Sequence, residues 1–83
     1  MFLYLLERDE KSCDYDKMRA CVVAAYDEAS AREIALRASA PSEANVKYEE
    51  ERAVWREVAT CKLLGVAAEG IAEGMVLSDC ETG

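Results

Sequence analysis

MRACVVAAYDEASAREIALRASA, residues 18–40, decides the fold. From Met18 to Tyr26 both faces are apolar, with Ala20, Val22 and Ala24 on one and Cys21, Val23 and Ala25 on the other. Such a run suits a central strand covered on both sides. Asp27 then offers a carboxylate to the first unpaired N–H groups of a helix, and Glu28 sits well against the positive end of its dipole. Ala31, Ile34, Ala35 and Ala38 follow at helical spacing. They form a narrow stripe of small residues that lies close on a sheet while Arg32, Glu33 and Arg37 stay in water. Pro41 disfavours helical geometry at Ala40 and ends the helix near Ser39.

Working outward, residues 1–8 read as a first strand, with Phe2, Tyr4 and Leu6 on one face and Leu3 and Leu5 on the other. Asp9 to Asp16, DEKSCDYD, is a polar connection carrying four acids. On the far side, residues 41–57 are expected to be half helical and half irregular. Ser42 or Asn45 offers a cap for a short helix near 43–54, in which Val46, Ala53 and Trp55 give a poor apolar stripe. The Glu, Lys and Arg content there also permits a competing reading, one long helix from Glu43 to about Leu64. Residues 58–66 read as a third strand and 75–80 as a fourth. Between them AAEGIAEG, 67–74, is a loop in which Gly70 and Gly74 are free to take positive φ. The expected fold is a single α+β domain over 1–83, a mainly antiparallel sheet of about four strands in the order ββαββ with helix 27–39 packed on one face.

With 83 residues, stability should fall on the order of 4–12 kcal/mol. Seventeen acidic residues against ten basic give a formal charge of -7. That balance repels phosphates and favours basic protein surfaces over nucleic acid. MFLYLL is six residues long and runs into Glu7, Arg8, Asp9 and Glu10, so it is expected to be a strand of a cytoplasmic protein, neither a signal peptide nor a membrane span. Cys13, Cys21, Cys61 and Cys80 form no C-x-x-C pair. Reduced thiols are therefore expected, without a zinc site or a disulfide framework.

The chain contains no histidine, which removes Ser-His, Cys-His and His-metal chemistries. Gly65, Gly70 and Gly74 do not form a phosphate-binding fingerprint. No catalytic residue, cofactor or metal is expected. Asp9, Glu10, Asp14 and Asp16 lack the spacing and the glycine of a calcium loop. With Tyr15 as an amphipathic anchor, the same acids suit docking on a groove lined by lysine or arginine. Glu49, Glu50 and Glu51 form the densest charge run, which either keeps the surface wet or displays carboxylates in a row as a nucleic-acid backbone displays phosphates. Trp55 nearby is a core residue or, if exposed, an interface hot spot.

YLLERDE, the loop with Asp14, Tyr15 and Asp16, the VVAAYDEASAREIA passage, the single Trp55 and the LLGVA and MVLSDCETG segments together resemble small proteins of unknown function encoded by tailed bacteriophages. The resemblance covers most of the chain and implies fold more than activity. A looser likeness in size, charge and class ties the chain to phage anti-CRISPR and other anti-defence inhibitors. These resemblances imply a non-enzymatic inhibitor in the host cytoplasm that blocks a defence complex through Asp9, Glu10, Asp14, Tyr15, Asp16, Glu49, Glu50 and Glu51. Two alternatives belong to other classes. One is a sponge for a small host signalling nucleotide, for which Arg8, Arg19, Arg32, Arg52 and Arg56 are the candidate ligands. The other is a homo-oligomeric accessory protein, a homodimer for instance, which a large apolar surface patch favours.

Overall fold

The two most apolar segments become the two central strands. The computed structural model describes residues 1–8, 18–40 and 48–80. Strand β1 (Phe2–Glu7) pairs antiparallel with β2 (Met18–Ala25), setting Tyr4 opposite Val23 and Leu6 opposite Cys21. Strand β3 (Thr60–Val66) lies along the free edge of β1, and β4 (Gly74–Cys80) along that of β2. The sheet is fully antiparallel, in the order β3-β1-β2-β4. Because side chains alternate across a strand, Tyr4, Leu6, Cys21, Val23, Cys61 and Met75 share one face. The helices cover that face.

Helix α1 (Glu28–Ser39) forms where its sequence signals place it. Asp27 is its N-cap, accepting the Ser30 N–H at 2.7 Å, and Ala40 closes the other end by donating to the Leu36 carbonyl at 2.7 Å. Ala31 and Ala35 are fully buried, so the backbone of α1 comes close to β2. The cap makes stability depend on pH. The Ser30 N–H holds the Asp27 carboxyl below its ordinary 3.8, and Arg56 holds Glu33 below 4.5. Both groups are depressed in the folded state, so their contribution is complete above the ordinary carboxylate range and is lost as pH falls through the folded values. Thermal melts at pH 7 and at about pH 3 should show a fall in Tm that is smaller for Asp27→Asn. An equal fall in the variant would remove Asp27 from the account.

A short helix, α2 (Tyr48–Ala53), runs directly into a π-helical turn, Val54–Val58. The wider winding is visible in the Ala59 N–H donating to the Val54 carbonyl, five residues back, at 2.7 Å. Arg32 of α1 donates to the Trp55 and Ala59 carbonyls at 3.1 and 2.7 Å, serving oxygens that the end of a helix leaves without donors. The segment after Pro41 is thus helical from 48 to 58, and the alternative of one helix through Leu64 is overturned. Strand β3 starts two residues later than the sequence suggests, because Val58 belongs to the π turn.

Residues 67–73 join the two edge strands across one end of the sheet. Ala67 donates to the Met1 carbonyl at 2.9 Å, and Gly70 takes φ +95° in the turn closed by Ile71 N–H to the Ala68 carbonyl. Among the described residues no helix is long and apolar enough to cross a membrane. One expectation holds only in part: β2 is central, but on its side away from the helices Ala24 is buried while Val22 stays partly exposed. Leu3, Leu5, Val22 and Leu77 stand together on the other side, with Leu77 67% exposed.

Candidate protein-interaction surface

The acidic run Glu49–Glu51 opens α2, and its three carboxylates cannot share one side. Successive helical residues are rotated by about 100°, so a consecutive triplet fans around the axis. Glu49 and Glu50 are exposed, whereas Glu51 is 1% exposed and turned into the protein. The expectation of three displayed carboxylates is corrected to two. Glu49 is paired with Arg52 one turn on, and Glu57, in the π turn, is also exposed.

Glu51 is instead the centre of a buried polar cluster. Its two carboxylate oxygens accept from Arg8 Nη1 at 2.9 and 2.8 Å, and Oε1 also accepts from Ser39 Oγ at 2.7 Å. Arg8 is 4% exposed, and its guanidinium lies over the Trp55 ring, 5.8 Å from the centroid. The cluster joins the end of β1, the end of α1 and α2. A buried charge pair needs hydrogen bonds as well as its partner to offset desolvation, and the serine hydroxyl helps supply them. Trp55 is fully buried, so the hot-spot reading is replaced by a core role; its indole N–H has no hydrogen-bond partner among the described residues.

Asp9, Glu10, Asp14, Tyr15 and Asp16 lie outside the described residues. At the Arg8 end of the β1–β2 pair, Arg8 N–H donates to the Arg19 carbonyl at 3.0 Å. A recess of about 300 Å³ opens there, lined by Glu7, Arg8, Arg19, Ala20 and Asp79.

The five arginines named as nucleotide ligands are all held by carboxylates: Arg8 by Glu51, Arg19 by Asp79 at 2.7 Å, Arg32 by Glu28 at 3.0 Å, Arg52 by Glu49 and Arg56 by Glu33. Arg8 and Arg19 line one recess, but each is matched by an acid. No group of three or more acidic or cysteine side chains that could hold a metal ion occurs among the described residues. Cys21 and Cys61 stand on the helix-side face of the sheet, flanking Leu6. Burial pushes the Cys61 thiol above its ordinary value, which keeps it protonated and poorly nucleophilic.

No family model, curated protein or solved structure matches the chain. The likeness to small phage proteins therefore rests on its sequence motifs alone.

What sequence reasoning missed is the Arg8–Glu51 pair. A signal for it exists: Tyr48, Glu51, Val54 and Trp55 follow helical spacing, so Glu51 is the one charged member of an inward stripe. Arg8, at the end of the FLYLLE strand, is the nearest cation in the pattern of the fold.

Proposed function

We propose that this domain is a non-enzymatic inhibitor of the phage type, acting in the host cytoplasm by binding a basic surface of a bacterial defence complex, CRISPR foremost. The observation that supports this reading most is the outward display of Glu49 and Glu50 on a helix anchored from behind by Glu51 and Trp55. An anchored helix presents carboxylates at low ordering cost, and opposite charge on a partner channel steers encounter and selects register. The formal charge of -7 acts in the same direction. The acidic loop with Asp9, Glu10, Asp14, Tyr15 and Asp16 supplies the second part of the proposed surface.

The test is phage plating on a panel of bacterial strains, each with one defined defence system. Expression of the chain should restore plating of a targeted phage on at least one CRISPR strain. The variant Glu49→Lys/Glu50→Lys should lower that restoration by about tenfold or more while leaving the fold intact, because both positions are exposed. Binding to the purified complex from the same strain should weaken steeply between low and high salt. Full restoration by the double variant would move the contact away from α2, and no restoration on any strain would sink the reading.

A further inference from the structure

The face of the sheet opposite the helices is built for cover. In an antiparallel sheet with one solvated face, outward positions are ordinarily polar. Here the row across the middle of that face reads Lys62, Leu5, Val22, Leu77, from one edge strand to the other. The next row reads Thr60, Glu7, Ala20, Asp79, and Leu3 continues the apolar surface in the other direction, while its neighbour Ala24 is fully buried. Leu5, Ala20, Val22 and Leu77 line a shallow apolar hollow of about 90 Å³ beside Asp79.

We propose that this face is the dimer interface and that its occupant is the same face of a second copy of the chain. The charge pattern selects a copy of itself: the cation Lys62 stands on the β3 edge and Asp79, whose Oδ2 also accepts from Arg19 of its own chain at 2.7 Å, on the β4 edge of one apolar strip. A twofold axis running along the strands between two such faces sets β3 of one copy over β4 of the other, in the aligned packing that stacked sheets favour. Each Leu5 then lies over the partner's Val22, and each Lys62 lays its aliphatic stem over the partner's Leu77. Its ammonium reaches toward the partner's Asp79 in the next row, about 7 Å further along the strand. Four strands of six to eight residues give a face of about 20 by 20 Å, which is about 400 Å² on each copy. That area places the dimer in the weak class, with a Kd in the micromolar range. The proposal is independent of the inhibitor reading, since α2 lies on the helix side of the sheet; a dimer would carry two acidic helices on opposite outer surfaces.

Sedimentation velocity on the intact chain over a concentration series tests it. The wild type should pass from monomer to dimer in the micromolar range. Leu77→Lys should raise the Kd by about tenfold or more, because it sets a lysine against the partner's Lys62. At concentrations where the wild type is monomeric its Tm should not change, since Leu77 is 67% exposed. Adding Lys62→Glu to Leu77→Lys should restore association, a rescue that only the β3-over-β4 arrangement gives, because Lys62 and Leu77 sit at opposite edges within one copy. A wild type that stays monomeric up to about 1 mM would overturn the proposal and assign the face to a different protein. A dimer that Leu77→Lys leaves intact would overturn it as well.

Discussion

Glu51→Ala should destabilise the domain by about 3–5 kcal/mol, because it leaves the Arg8 guanidinium buried with its principal charge partner gone. Against a total on the order of 4–12 kcal/mol for a chain of this length, that loss is enough to unfold much of the population at 37 °C when the total lies at the low end of the range. Urea denaturation followed by circular dichroism measures it directly. The companion variant Arg8→Met/Glu51→Leu removes both charges and fills similar volume, and should recover most of the loss, since a buried ion pair and an apolar replacement are often close in stability. A cost for Glu51→Ala below about 1 kcal/mol is what an exposed pair would give, and it would show that this cluster is open to water in solution.

Trp55→Ala should cost a similar amount, about 3–5 kcal/mol, by emptying the largest fully buried side chain of the core. Trp55→Phe should cost less, about 1–2 kcal/mol: it keeps most of the ring and removes an indole N–H that has no partner among the described residues. The ordering of the two variants is the discriminating result: both remove the indole N–H, so equal costs would mean that the packing of the ring, the only thing Phe keeps, contributes little. Because Arg8 lies over the Trp55 ring, the Glu51→Ala and Trp55→Ala losses should not add; the double variant should lose less than their sum. The wild-type indole itself reports the transition, with blue-shifted fluorescence that moves red on unfolding.

The four strands and α1 were legible because each carries a short-range signal: the continuous apolar run of β1, the Asp27 cap before a small-residue stripe, and Pro41 after Ser39. The region after Pro41 was not, for two reasons. A π turn has no common sequence signature, so its shift of Val58 out of β3 is invisible locally. The burial of Glu51 depends on Arg8, forty-three positions away, and no local pattern reports a partner at that distance. Reading three consecutive glutamates as one row treated the helix as a line when it is a cylinder. The doubly apolar face of β2 was read correctly from Val22 and Ala24, but a sequence does not say whether the cover comes from its own chain.

The strand order β3-β1-β2-β4 also governs how the chain is made. On the ribosome the β1–β2 pair and α1 emerge first, while the partners of both outer edges are encoded after residue 59. Phe2 must wait for Val66, and Met18 for Cys80. Until then the nascent chain carries two unprotected sheet edges at once, the configuration most prone to pair with a neighbouring polypeptide. Yield in cells should therefore depend on how quickly translation runs through residues 60–80, so that synonymous codons there affect the amount of folded protein without changing a single side chain.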